Sequence, residues 1–145
     1  MKTVVLLGVV LGSLFLFNEN LLKEEQESRQ PKKEKEQLYL GYKEALELAK
    51  KSGKPIMFKL TAEHCRYCKK MDKEVLADKE VRKVLTEHFI PVSIDVEKDK
   101  IPLGIKRTIT PTFVFVNANR EISSTIHGSW GKDDFLDLLH NRIKN

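Results

Sequence analysis

The sequence is poor in cysteine, in long hydrophobic runs and in clustered positive charge. Its two cysteines, Cys65 and Cys68, lie within one four-residue stretch, which excludes a small fold held together by several disulfides. The uncharged run over residues 3–17 would span about 22 Å as a helix, whereas a bilayer core is about 30 Å thick. The 26 Lys and Arg against 21 Asp and Glu form neither an Arg-rich stripe nor a pattern interleaved with aromatics, so we expect no nucleic-acid partner.

The N-terminal run, preceded by Lys2, is typical of an export signal. Its shortness favours a cleaved signal peptide over a membrane anchor. The small-x-small cleavage pattern is missing, however, so an uncleaved anchor and a buried core helix stay as alternatives. Lipid anchoring is not expected because no lipobox cysteine is present. Either export reading predicts an oxidising, extracytoplasmic compartment: a periplasmic protein, exported by this segment or tethered by it to the inner membrane.

The remaining chain divides at a change of composition. Residues 18–37 carry five basic and six acidic groups and bury too little apolar surface to fold, which indicates a charged linker. With 41% hydrophobic residues and a length of 145, the chain suits one globular domain. We therefore predict a signal or anchor over 1–17, a linker over 18–37 and a domain over 38–145, and we expect a monomer.

Hydrophobic periodicity predicts an α/β domain. The predicted strands are Ile56–Leu60, Phe89–Val96, Phe113–Val116 and Glu121–His127. The predicted helices are one from Leu38 to Ala49 ended by Gly53 and Pro55, one from about Cys65 to Val75 or Leu76, a helical stretch capped by Asp78, and a last helix opened by Asp133. A short helix or turn is predicted over Lys98–Ile105. Strands separated by a helix pair in parallel and the closing hairpin is antiparallel. This predicts a mixed central sheet flanked by helices on both faces.

The pair of cysteines follows a predicted buried strand and begins a helix. At that position the unpaired N–H groups and the positive helix pole stabilise a thiolate at Cys65, and the adjacent Arg66 adds to the field. Cys68 lies one turn deeper and can close a disulfide with Cys65. This arrangement predicts an attacking Cys65 and a resolving Cys68, with the redox-active disulfide as the only redox group and no other cofactor.

The two cysteines have three other interpretations besides dithiol redox chemistry. A structural disulfide would close so short a loop that it constrains the unfolded chain little. A zinc site would need further ligands from the four histidines, none of which has the spacing of a zinc finger. The third alternative is that the two cysteines are buried without a chemical role. Dithiol redox chemistry is favoured, and no metal site is expected. The histidines are His64, His88, His127 and His140.

Three segments carry a family resemblance. KPIMFKLTAEHCRYCKKM, ITPTFVF and HGSW, together with their order, resemble the thioredoxin superfamily. The likeness is greatest to periplasmic thioredoxin-like proteins and to the C-terminal domain of the membrane thiol:disulfide interchange protein, and it covers residues 38–145. It implies a thioredoxin fold and reversible dithiol–disulfide exchange. It also places Thr110-Pro111 at the family's cis-proline, where backbone groups bind a substrate chain.

Around this site we expect an apolar surround and rim. Tyr67 and Ile109, with Ala62, are the residues we expect at the substrate-docking surface beside Thr110 and Pro111. His127 and Trp130 are expected to be packing or rim residues.

The sequence departs from the family pattern at two positions. His64 stands where the family usually has Trp, and near Cys65 an imidazolium would stabilise the thiolate. Lys59 stands where the family commonly has a buried Asp. Either it points toward Cys68, favouring the thiolate or acting as a base, or it extends outward from the strand, which is slightly favoured. In the outward case Glu63 is a candidate for proton transfer.

The favoured function is an extracytoplasmic reductase of protein disulfides. A membrane dithiol donor would restore the dithiol, since the periplasm is kept oxidising. Apocytochrome c, mispaired secreted proteins and peroxidase-type enzymes are the partners considered. The alternatives are a disulfide oxidase or isomerase of the same fold, a copper chaperone using Cys65, Cys68 and His64, and a non-catalytic peptide-binding module.

Overall fold

The computed structural model describes residues 38–144, so the predicted signal and linker lie outside the described part. Its elements are α1 (Tyr42–Ser52), β1 (Ile56–Thr61), α2 (Arg66–Met71), a π-helical turn (Asp72–Leu76), α3 (Lys79–His88), β2 (Ile90–Asp95), β3 (Thr112–Val116), β4 (Ile122–His127) and α4 (Lys132–Ile143). Within these residues no helix combines the length and apolar character needed to cross a membrane.

The strands form a mixed sheet in the order β2-β1-β3-β4. β1 pairs in parallel with β2 and antiparallel with β3, and β3 pairs antiparallel with β4. The parallel pair arises because a helical connection returns the chain to the starting end of the sheet, while a short turn joins β3 to β4. The predicted mixed parallel and antiparallel topology is confirmed.

Two apolar clusters lie on opposite faces of the sheet. One joins β1 and β3 to the helices α3 and α4 and is centred on Met57, Phe113 and Phe135. The other joins alternate residues of the same strands to α1, where Ala45 and Ala49 are buried. Strands buried on both faces read as continuous apolar runs, which is why β1 and β3 contain almost no polar residue. The helices therefore cover both faces, as predicted.

Leu38 does not belong to the first helix, and that part of the prediction is wrong. The helix begins at Tyr42, and the Leu40 N–H donates to the Pro91 carbonyl at 3.0 Å, so this segment runs extended beside β2. Leu38 packs in the cluster around Met57, on the sheet face opposite α1. Its helical spacing from Tyr42 is a coincidence, because hydrophobic periodicity cannot distinguish which face of a sheet an apolar residue covers.

Two helix boundaries agree with the prediction and one segment does not. Gly53 ends α1 with φ of 73° and donates its N–H to Ala49, a conformation that favours glycine. The Asp78 carboxylate accepts from the N–H groups of Glu80 and Val81 at the start of α3. Residues 98–105 form turns, so the helix alternative there is wrong; hydrogen bonds from Lys98 and Asp99 back to Asp95 close the first turn.

Candidate active site

Cys65 and Cys68 are joined by a disulfide at the start of α2. Cys65 is the N-cap residue, in extended conformation, and its Sγ accepts a hydrogen bond from the Cys68 N–H at 3.0 Å. Because Cys65 is the N-cap, the positive end of α2 lies at its sulfur. The helical run continues from Met71 into the π-helical turn. This local geometry favours negative charge on Cys65 when the disulfide opens.

The two sulfurs differ in their access to solvent. Cys65 is half-buried, whereas Cys68 is 1% exposed. An external disulfide can therefore approach Cys65, while Cys68 is shielded behind it. These exposures are the ones expected for an attacking Cys65 and a resolving Cys68, and the two roles themselves stay predictions.

A groove of about 660 Å³ reaches Tyr67, the residue that lies between Arg66 and Cys68 in the sequence. Tyr67 and Lys70 of α2 line one side, and the Ile109–Pro111 segment and the Ser129–Lys132 segment line the other. Tyr67 is 54% exposed and Ile109 is 65% exposed, which leaves two large apolar side chains available for contact. The groove therefore brings together four of the five residues expected at the substrate surface, Tyr67, Ile109, Thr110 and Pro111. Ala62, the fifth, packs instead against the apolar cluster that contains Ala45 and Ala49. The expected rim residue Trp130 also lines the groove.

The Thr110–Pro111 peptide bond is cis, as predicted. A hydrogen-bond network supports the segment: the buried Thr112 hydroxyl donates to the Ile109 carbonyl at 2.6 Å and lies 2.9 Å from Nδ1 of His127. The Thr112 hydroxyl has a single proton and donates it in a hydrogen bond to the Ile109 carbonyl. Toward His127 it can therefore only accept, so the Nδ1–H of His127 is the donor. His127 is exposed and therefore supports the Thr112 end of the Ile109–Thr112 segment from the surface of β4.

Arg66 and His64, the two sequence neighbours of Cys65, are exposed. The Arg66 guanidinium lies 5.2 Å from the centre of the Tyr67 ring and 3.4 Å from the Tyr67 hydroxyl. This contact places the guanidinium of Arg66 against Tyr67, which lines the groove. The tuning roles expected for both residues at Cys65 stay predictions.

Glu63 is drawn into a surface network beside β2. Its carboxylate pairs with Lys98 at 2.7 Å and its N–H donates to the Glu97 carboxylate at 3.2 Å. The side chain is exposed and screened by water. A role for Glu63 in proton transfer stays a prediction.

Lys59 is buried, so the interpretation that it extends outward is wrong. Its side chain is 3% exposed, and its Nζ donates to the carboxylate of Asp72, which is 47% exposed. The strand is covered on both faces, which leaves Lys59 no path to solvent. A buried ammonium requires a counter-charge, and Asp72 supplies it from the turn that follows α2.

Tyr39 completes this buried cluster. Its ring lies 5.7 Å from Nζ of Lys59, and its hydroxyl is buried without a hydrogen-bond partner among the described residues. Burial raises the pKa of Tyr39 well above its ordinary value; the Asp72 carboxylate adds to this effect and Arg82 opposes it.

Sequence reasoning missed Asp72 and Tyr39 at this site. Asp72 follows Cys68 by four residues, so helical spacing already placed it on the same face, and a lysine in an apolar strand calls for a nearby carboxylate. Tyr39 offers no such signal, because it lies outside any helix and twenty residues from Lys59. Within residues 38–144 no three His, Cys, Asp or Glu side chains come together as a metal site.

Known proteins match both the sequence and the fold. The family model described as a thioredoxin-like domain matches residues 42–143. A thioredoxin from Thermus thermophilus is 31% identical, with a TM-score of 0.60 over 72% of this chain and 85% of that one. The DsbH oxidoreductase is 24% identical, with a TM-score of 0.61 over 73% and 83%. The reduced C-terminal domain of DsbD from Neisseria meningitidis is 21% identical, with a TM-score of 0.54 over 68% and 91%; these last two show a shared fold.

A curated relative matches over a shorter length. Anterior gradient protein 3 of Mus musculus is 28% identical over 89 residues, which are 61% of this chain and 54% of that protein. The match thus spans about half of the relative's length. Taken with the family match over residues 42–143 and the Cys65–Cys68 disulfide at the head of α2, these findings lead to one assignment. The chain belongs to the thioredoxin-like family and has the fold and the Cys-X-X-Cys disulfide of a thiol–disulfide oxidoreductase.

Proposed function

We propose that the chain is an extracytoplasmic reductase of protein disulfides. The observation that carries the proposal is the pairing of a half-exposed Cys65 with a buried Cys68 in a Cys-X-X-Cys segment whose Tyr67 lines a groove with the cis-proline Pro111. The substrates are folded or unfolded proteins with an accessible disulfide, whose chain lies along Thr110 and Pro111.

The reaction proceeds in two exchanges that balance without a further cofactor. The Cys65 thiolate attacks a substrate sulfur, so the Cys65–substrate bond forms and the substrate disulfide breaks, releasing one substrate thiolate. The Cys68 thiolate then attacks the Cys65 sulfur, which closes the internal disulfide and releases the second substrate thiolate. The substrate gains two electrons and the protein dithiol loses them, and protons from water neutralise the thiolates.

A membrane-bound dithiol donor is proposed to return the protein to its reduced state. The donor is proposed because an extracytoplasmic compartment is kept oxidising and would otherwise leave Cys65 and Cys68 as a disulfide. The extracytoplasmic location itself rests on the sequence of residues 1–17, with Lys2 followed by fifteen uncharged residues. Residues 18–37 would then hold the domain at a distance from the membrane if the segment is retained as an anchor.

The direction of electron flow is tested by the reduction potential of the Cys65–Cys68 pair. We expect a potential more negative than about −200 mV, in the range of glutaredoxins and thioredoxin. The measurement equilibrates the full chain in glutathione and dithiothreitol buffers and quantifies the reduced fraction by alkylation and mass spectrometry. A potential more positive than about −150 mV, close to that of strong oxidants, would contradict the reductase proposal and favour the oxidase or isomerase alternative.

A further inference from the structure

An ion pair between the buried Lys59 and the half-exposed Asp72 lies between β1 and the turn that follows α2, and the two exchanges described above do not use it. The ammonium of Lys59 is almost fully enclosed, whereas its partner Asp72 is half-exposed. Water screens the carboxylate more strongly than the ammonium, because solvent reaches only one member of the pair. The pair therefore leaves a net positive potential in the space between β1 and α2.

Cys68 lies in that same space. The Asp72 N–H donates to the carbonyl oxygens of Cys68 and Lys69, so Cys68 and Asp72 are one helical turn apart. Residues at this spacing share a helix face, with Cβ atoms about 5–6 Å apart. Since Cys68 is buried, this face is turned toward the sheet, and Lys59 reaches it from the central strand.

The alternation of side chains along β1 supports this placement. Met57, two residues before Lys59, belongs to the apolar cluster that contains Met71 of α2. Residues two apart on a strand point to the same face of the sheet. Lys59 is thus on the face that α2 covers, where it donates to Asp72, which lies one helical turn after Cys68.

We propose that Lys59, held in place by Asp72, is a positioning residue that stabilises the thiolate of Cys68 and so accelerates its attack on Cys65. The inference rests on the proposed function, in which Cys68 resolves the mixed disulfide. In that step the Cys68 thiol first gives its proton to water. The thiolate then forms the bond to Cys65 while the bond from Cys65 to the substrate breaks and the substrate sulfur leaves with the electron pair.

The need for such a device follows from the burial of Cys68. An apolar environment disfavours a thiolate, and the thiol itself is a poor nucleophile. A neighbouring cation offsets this cost, whereas a buried carboxylate at the same place would act on the proton instead. With Lys59 in that place, this chain relies on electrostatic stabilisation of the attacking sulfur.

Other residues around this space also carry charged or titratable groups. Tyr39, which precedes α1, stays neutral at physiological pH because burial and Asp72 raise its pKa, and Arg82 of α3 acts on it in the opposite sense. Lys69 and Lys70 on α2 are exposed, and Lys70 is turned to Glu74 at 3.9 Å. Cys65 is the remaining group, and in the mixed disulfide it carries no charge. Lys59 is the buried cation among these groups.

The test follows the two exchanges separately with Ellman's reagent on the reduced full chain. The first release of the coloured thiolate reports attack by Cys65, and the second reports resolution by Cys68. In Lys59→Met we expect the inflection of the second phase to rise by about one pH unit and the second phase to slow about tenfold at pH 7, since thiolate below its pKa falls tenfold per unit. The first phase is expected to change by less than threefold.

Lys59→Arg is the matched variant, because it keeps the buried positive charge that Asp72 neutralises. If Lys59 acts through its charge, the second-phase inflection of Lys59→Arg stays within about half a pH unit of the wild-type value. A rise of the inflection in both variants would identify a structural brace and overturn the inference, as would an unchanged inflection in Lys59→Met. Failure of the proposed function would give a different result. In that case the first phase of the wild-type protein would itself be no faster than the reaction of glutathione with the same reagent.

Discussion

Replacement of Cys65 by serine is expected to lower the rate of insulin disulfide reduction at least about a hundredfold. The thiolate is the attacking species, and a serine hydroxyl at the N-cap of α2 does not ionise near neutral pH. The assay follows the turbidity of reduced insulin with dithiothreitol as donor, at concentrations where the donor alone is slow. The fold is expected to persist, because serine can still accept the Cys68 N–H that Cys65 accepts here.

The same variant separates two of the alternative functions. A peptide-binding module that uses the groove would keep its affinity for extended peptides in Cys65→Ser, whereas a reductase loses turnover. Retention of more than about a tenth of the wild-type rate would contradict the assignment of Cys65 as nucleophile. For the copper-chaperone alternative the discriminating observation is stoichiometric metal in the reduced, purified protein, with soft thiolate ligands provided by both cysteines.

Replacement of Cys68 by alanine is expected to stop the cycle at the mixed disulfide. Cys65 still reaches substrates because it is half-exposed, but the buried sulfur that would release them is gone. Expression of this variant is expected to yield covalent complexes on non-reducing gels that disappear with dithiothreitol, at levels at least about tenfold above the wild type. Mass spectrometry of the trapped proteins identifies the substrates.

The control for trapping is the double variant Cys65→Ser, Cys68→Ala. It is expected to form no dithiothreitol-sensitive complexes, because no thiol is left in the chain. Complexes of the same size and amount in the double variant would show that those formed by Cys68→Ala do not contain a disulfide to Cys65. The partners trapped by the single variant also distinguish apocytochromes c, mispaired secreted proteins and peroxidase-type enzymes.

The local sequence was sufficient to predict the position of the two cysteines in the fold. A buried strand followed by Cys-X-X-Cys predicted Cys65 at the head of a helix and Cys68 one turn deeper, because helix geometry fixes that relation within four residues. The cis bond at Pro111 followed from the family resemblance, since sequence spacing alone gives no preference for the cis isomer.

Long-range placement was beyond local signals. Leu38 has helical spacing from Tyr42, yet the chain passes around the sheet edge between them and the two residues join different apolar clusters. Lys59 was misplaced for a related reason: its burial depends on Asp72, thirteen residues later, and on Tyr39, twenty residues earlier. Contacts between distant elements decide on which sheet face a residue lies and whether it is buried, and these contacts cannot be inferred from hydrophobic periodicity within one segment.

The central claim is that Cys65 is the accessible, activated thiol of the pair, and it is tested most directly by alkylation of the reduced protein. The rate of iodoacetamide modification at each cysteine is measured between pH 5 and 10 by peptide mass spectrometry. We predict that Cys65 has an inflection at least about one pH unit below the value of about 8.5 for free cysteine and reacts at least about tenfold faster than Cys68 at pH 7. An inflection of Cys65 at or above that value, or faster modification of Cys68, would contradict the account.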